Sequence, residues 1–233
     1  MNNTRTAVFG GSFDPPHLGH LHVADAATEQ FGLDAVIWIP ACISPFKLTA
    51  SYSDADDRIA MIECTIRDRP RYSVSDIEIR RRGISYTIDT LRFIRSAQPD
   101  SELFLLIGED AYASFERWSR PDEIRALAGL IVYPRGEQPV RPDASGFSDE
   151  SGDSDESRYS DAPGFSDESG DSDEPGCSVS FLDGPQIDVA SSGIRRSIRN
   201  GQPIDGLVPT CVETYIQSNS LYTSATYDSG KSI

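Results

Sequence analysis

Two hydrophobic rhythms alternate along this chain. Short, nearly unbroken apolar runs stand at "TAVFG" (6–10), "AVIWIP" (35–40), "ELFLLIGED" (102–110) and "LIVYP" (130–134). Glycine, proline or charged residues end each run, and runs of this kind predict strands buried on both faces. Between them lie segments with helical spacing. "HLHVADAATEQFG" (20–32) predicts a helix ending at Gly32, and Pro15 or Pro16 could open it. "SDADDRIAMIECTIRD" (53–68) puts Ile59, Ile62 and Ile66 on one face, with Ser53 as its N-cap. "SYTIDTLRFIRSAQP" (85–99) and "PDEIRALAG" (121–129) predict two more helices, whereas "YSVSDIEI" (72–79) alternates and predicts a strand. Near the C-terminus a strand at "VSFLDG" precedes the helical "SSGIRRSIRNG" and "PTCVETYIQSN". Helices alternating with continuous apolar strands imply one α/β domain built on a doubly wound, mostly parallel sheet.

Composition changes this picture in one place. "GFSDESGDSDE" occurs twice, at 146–156 and 164–174. The stretch from Asp143 to Pro175 carries twelve acids against one arginine, so most of the net charge of −16 is local to it. Such a segment cannot bury enough apolar surface to offset its ordering entropy. Residues 143–176 are therefore expected to be a disordered acidic insert, between domain segments 1–142 and 177–222. A tail, 223–233, follows. A calcium loop is the alternative for the insert, but EF-hand spacing is absent. The acidic balance argues against nucleic acid as a partner. No apolar run is long enough to cross a membrane and no signal peptide opens the chain, so a cytoplasmic location is expected. The four cysteines, Cys42, Cys64, Cys177 and Cys211, lie far apart and read as reduced thiols, with no metal-ligand spacing.

In a sheet of this class ligands bind at the carboxyl ends of the strands, near the reversal of strand order. That rim collects the Gly10 loop, the Gly108–Asp110 loop and the stretch before Ser191. The Gly10 loop is the richest in chemistry. In "GGSFDPPHLGH" (10–20), Gly10 and Gly11 allow a sharp turn and close backbone approach to a ligand. His17 and His20, three apart, share the first turn of a helix, whose N-terminus already favours anions. Two imidazoles there suit phosphate oxygens and charge that develops during phosphoryl or nucleotidyl transfer. All three histidines of the chain fall between residues 17 and 22, and His22 lies off the shared face.

The same stretch resembles the G-x-F-D-P-x-H-x-G-H signature of the nucleotidyltransferase superfamily. "RRGISYTIDTL" (81–91), "LLIGEDAYASFERW" (105–118), "VASSGIRRSI" (189–198) and a C-terminal "LYT" are similar, in order, to blocks of bacterial nicotinate-nucleotide adenylyltransferase. The resemblance covers about 5–135 and 186–222, and it implies a Rossmann-like fold. It implies transfer of AMP from ATP to nicotinate mononucleotide, with Mg²⁺ assisting and no covalent enzyme intermediate. ATP would lie along Phe9, Gly10, Gly11, Ser12 and Phe13, with His17, His20 and Arg195 as the catalytic set. Gly108, Asp110, Ser191, Ser192 and Ile194 would complete that site, Asp110 toward a ribose. Nicotinate mononucleotide would meet Lys47, Ser85, Tyr86, Thr87, Trp118 and Arg135. There the amides of 85–87 face the carboxylate, Trp118 stacks on the pyridine ring, and Lys47 holds phosphate. No protein-held metal site is implied, and a homo-oligomer is compatible with the sequence.

The chain departs from the family at Pro45-Phe46-Lys47, where a histidine is replaced, and at Ala190, where a serine is. The acidic insert falls where the family has a variable loop. Two alternatives stay open: the same chemistry on nicotinamide mononucleotide, and a catalytically silent nucleotide-binding regulator.

Overall fold

The structure is a computed structural model, and it describes residues 3–43, 45, 52–134, 178–183 and 189–223. The acidic insert, Lys47, Arg135 and Cys177 lie outside the described residues. Chain order is β1 (Arg5–Gly11), α1 (Leu18–Gln30), β2 (Ala35–Pro40), α2 (Ala55–Ile66), β3 (Tyr72–Val74), α3 (Ile77–Arg81), α4 (Thr87–Ala97), β4 (Glu102–Gly108), α5 (Glu109–Tyr112), α6 (Pro121–Leu127), β5 (Gly129–Tyr133), β6 (Val179–Phe181), α7 (Ser191–Arg199) and α8 (Thr210–Ser218). The six strands form one sheet in the order β3-β2-β1-β4-β5-β6. Every neighbouring pair is parallel. Strand order reverses between β1 and β4, so the loops after these two strands flank the crevice where such folds bind ligands.

The strands are continuous apolar runs because both faces are covered. Along β1, Ala7 and Phe9 point to one face, where Ala24 and Ala27 of α1 and Ile62 of α2 pack beside Trp38 and Leu106. Val8 points to the other, with Ile88, Leu91 and Ile94 of α4 and Ile124 of α6. The small residues of α1, Gly19, Ala24 and Ala27, let this helix lie close on the sheet. A third cluster joins Met61 of α2 to Ile194 of α7 and to Val212 and Ile216 of α8, with Tyr222 beyond them. It clamps the C-terminal helices against α2.

Four local expectations are corrected. Residues 72–79 are a three-residue strand followed by α3, because β3 is an edge strand and the chain turns off it at Ser75 and Asp76. Ser53 does not cap α2: Asp54 holds the N-cap position, and the Ser53 N–H turns to Asp14. Neither proline opens α1. Both precede its N-cap, His17. The 108–110 segment begins a short helix, α5, rather than an open loop.

Candidate active site

Local chemistry at the start of α1 fixes both histidines. His17 is the N-cap and His20 the third helical residue, and each imidazole satisfies an amide of the other. The His20 N–H donates to Nδ1 of His17 at 3.3 Å, and the His17 N–H donates to Nδ1 of His20 at 3.2 Å. This is a capping box built from two histidines in place of Ser and Glu. The rings stack with centroids 3.6 Å apart. A nitrogen that accepts carries no proton, so each neutral ring holds its proton on Nε2. Both imidazoles thereby become donors of fixed orientation at a positive helix end.

The wall behind His20 is aromatic. The Phe13 ring lies 4.9 Å from it and packs at 5.4 Å on Phe9 and 5.0 Å on Trp38. Phe13 holds a positive φ of 47°, a conformation that costs a bulky residue about 1–3 kcal/mol and persists only where packing over-determines it. Gly11 leaves room for this ring, since a Cβ there would meet it at 3.0 Å. Gly10 faces open space. The Phe9 side chain is core, so only its backbone belongs to the rim.

Asp14 ties the loop to the rest of the molecule. Its carboxylate is 1% exposed and accepts from the Tyr222 hydroxyl at 2.7 Å and from the Ser53 N–H at 3.4 Å. Arg195 donates to the Asp14 carbonyl at 2.6 Å and stands 3.9 Å from the carboxylate. The Ser191 hydroxyl donates to the Pro15 carbonyl at 2.9 Å. Ser191 is thus the first residue of α7, with Ala190 at the cap, and its side chain binds the loop rather than its own helix. Arg58 is buried as well. It donates to the carbonyls of Ser12, Ala41 and Ser53, and lies over the Tyr52 ring. Burial lowers its pKa, and the negative charge of Asp14 opposes that shift.

On the same rim, the N-terminus of α4 packs against the segment after β2. Ile84 bridges Ile43, and the Ser85 N–H donates to the Ile43 carbonyl at 2.9 Å. The Ser85 N–H is therefore engaged within the protein, and the amides left for a ligand begin at Tyr86. Among the described residues, no backbone or side-chain acceptor takes the N–H of Tyr86, Thr87 or Ile88. Trp118 is half-buried, its ring 5.3 Å from Phe115. Gly108 ends β4 beside β1, where a Cβ would crowd the Tyr133 ring at 3.2 Å, and Asp110 is exposed on α5. Ser192 is exposed at the start of α7, whereas the Ile194 side chain is buried in the third cluster.

The structure thus gathers His17, His20, Ser191 and Arg195 around one loop, and sets Ser85, Tyr86 and Thr87 beside the end of β2. Sequence reasoning did not single out Asp14, Arg58, Glu78 or Tyr222. Asp14 lies inside the quoted signature, and Tyr222 inside "LYT". Arg58 carries no signal, because a mid-helix arginine in sequence reads as a solvated face. The described residues contain no group of three or more His, Cys, Asp or Glu able to hold a metal ion. Asp14, the buried acid nearest the histidines, is committed to Tyr222 and faces Arg195.

Residues 8–196 match the Cytidylyltransferase-like family. A relative from Dehalococcoides mccartyi named "Probable nicotinate-nucleotide adenylyltransferase" is 35% identical over 225 residues, covering 95% of this chain and 98% of its own. One of the same name from Salinibacter ruber is 34% identical over 215 residues, covering 92% and 96%. Among solved structures, the Plasmodium falciparum nicotinic acid mononucleotide adenylyltransferase complexed with NaAD superposes with a TM-score of 0.69. It covers 94% of this chain and 98% of its own at 15% identity, a likeness of fold. With this sheet and this histidine loop, the chain belongs to the nicotinate-nucleotide adenylyltransferases of the Cytidylyltransferase-like family.

Proposed function

We propose that this protein transfers AMP from ATP to nicotinate mononucleotide, forming nicotinate adenine dinucleotide and pyrophosphate for NAD biosynthesis. The observation that carries the reading is the reciprocal His17–His20 cap, held beside Arg195 through Asp14. A 5′-phosphate oxygen of the mononucleotide attacks the α-phosphorus of ATP. The new P–O bond forms there as the bond to the bridging β-oxygen breaks, and pyrophosphate carries the electron pair away. The Nε2–H groups of His17 and His20 and the Arg195 guanidinium face the charge that builds on the phosphates, and the work is positioning and charge stabilisation. The β1 rim, with Gly10, Gly11 and Ser12, gives the triphosphate close backbone approach. Gly108 and Asp110 serve the adenosine, with Asp110 on a ribose hydroxyl.

The N–H groups at the start of α4 favour a carboxylate over an amide at the pyridine ring, because a helix N-terminus attracts negative charge. Tyr86 and Thr87 are assigned to that contact and Trp118 to stacking. Lys47 and Arg135 are assigned to the mononucleotide phosphate on sequence grounds alone. Mg²⁺ accompanies ATP and takes its ligands from phosphate oxygens and water, as this hard cation commonly does. We assign residues 143–176 no catalytic part and place the enzyme in the cytoplasm. No helix among the described residues is long and apolar enough to cross a membrane.

The test is a competition: protein, ATP and Mg²⁺ with equal nicotinate and nicotinamide mononucleotides, the dinucleotide products separated by chromatography. The acid dinucleotide is expected to dominate. A dominant amide product would keep the mechanism and overturn the assignment at α4. No product from a folded, ATP-binding protein would overturn the enzymatic reading.

A further inference from the structure

A buried carboxyl lies behind the α4 loop, and nothing in the phosphate chemistry uses it. Glu78 of α3 is 7% exposed. The Thr90 hydroxyl donates to its Oε1 at 2.6 Å, and the Ser85 hydroxyl beside the same carboxyl favours its charged form. One carboxyl thus grips both sides of the Tyr86–Ile88 amides: Ser85 just before them and Thr90 on the first turn of α4. The Ser85 oxygen also accepts the Cys42 N–H at 3.0 Å, which extends the grip to the segment after β2. Arg81, one turn along α3, donates to the Thr90 hydroxyl at 3.3 Å. Burying a carboxyl is costly unless hydrogen bonds compensate. Here the compensating donors belong to the loop and to α4, so the loop position that satisfies Glu78 is held against alternatives.

We propose that Glu78 is the positioning residue of the base subsite, fixing Ser85 and Thr90 so that the Tyr86, Thr87 and Ile88 amides converge on the carboxylate of nicotinate mononucleotide. This rests on the assignment of that carboxylate to the start of α4. Glu78 touches no substrate. It acts through the loop, so its removal affects one substrate and not the other. The Ser85 hydroxyl is a strut in this arrangement, accepting the Cys42 N–H beside Glu78.

The test is steady-state kinetics of full-length Glu78→Ala, Glu78→Gln and Thr90→Val, with folding checked by circular dichroism and thermal melting. Glu78→Ala is expected to raise KM for nicotinate mononucleotide about 10-fold or more, the scale of loosening a hydrogen bond to a charged group. KM for ATP, and kcat at saturation, should stay within about twofold, the remainder of that same hydrogen-bond scale. Glu78→Gln should recover most of the loss, since its amide still accepts from Thr90, and Thr90→Val should repeat the Glu78→Ala pattern more weakly. The preference for the acid over the amide mononucleotide should narrow in parallel. Equal rises in both KM values would show a general structural role and overturn the proposal, as would an unchanged mononucleotide KM. If Glu78→Ala does not fold, Thr90→Val and Glu78→Gln decide by the same split. A wild-type enzyme with no acid preference would overturn the subsite reading itself, a failure separate from that of Glu78.

Discussion

His17 and His20 cap each other: each imidazole accepts the other's backbone N–H through Nδ1, and the rings stack at 3.6 Å. In the proposed mechanism the bonds that build the helix end also fix which nitrogen is presented to the phosphates. That proposal couples structure and catalysis at these two residues, and substitution can separate them. His20→Ala is expected to lower kcat about 10²-fold or more, as loss of a transition-state donor does, with a smaller change in KM. His17→Ala should also cost about 1 kcal/mol of stability through the lost cap. His17→Asn should restore that stability in a thermal melt while kcat stays low. Full activity in His17→Asn would show that the ring serves only as a cap.

Arg195 spends one donor on the Asp14 carbonyl and keeps a fork of others. Arg195→Lys keeps the charge and loses the fork. It is expected to lower kcat/KM about 10-fold or more, the scale of one charge-assisted hydrogen bond, with the larger share in kcat. Equal kinetics for the two residues would remove Arg195 from the phosphate site.

The Tyr222 hydroxyl reaches Asp14 across most of the sequence. Tyr222→Phe leaves a buried carboxylate one donor short, at a cost of about 1.5–3 kcal/mol. Urea denaturation measures this. A double-mutant cycle with Asp14→Asn should show strong coupling, and additive losses would mean that the two residues stabilise the fold independently.

Asp25 carries a pH dependence whose sign is fixed. Burial raises its carboxyl, but hydrogen bonds from Arg69 at 2.7 Å and Tyr72 at 2.7 Å outweigh that and hold it below its ordinary value. A depressed acid contributes stability above its unfolded pKa and loses it as pH falls through the folded one. The gap in Tm between wild type and Asp25→Asn should be full near neutrality and close as pH falls below about 4, the unperturbed aspartate range. A gap that widens in acid would contradict the sign.

Much of this protein is written locally. The strands within 6–10, 35–40, 102–108 and 130–134 were legible because a parallel sheet covered on both faces needs unbroken apolar runs, and helices between them force the parallel order. The histidine pair was legible because the chain holds all its histidines in one short stretch beside paired glycines. Residues 72–79 misled, since alternation over so few residues does not separate an edge strand from a strand followed by one helical turn. Ser53 misled for a related reason: a serine near a helix start has several partners in reach, and here its N–H serves Asp14 while Asp54 takes the cap position.

What only the tertiary structure decided are the contacts between distant segments. Asp14 meets Tyr222 and Arg195 because the third apolar cluster carries α7 and the C-terminus back onto α2, and no local pattern encodes that return. Glu78 becomes a buried strut because α3 packs behind the start of α4, although its sequence context reads as a charged surface. The sequence by itself determined the sheet class, most element types and the stretch where the histidines and glycines gather, since these depend on side-chain type and short spacing. Burial and partnership depend on which surfaces meet, and those came only with the folded chain.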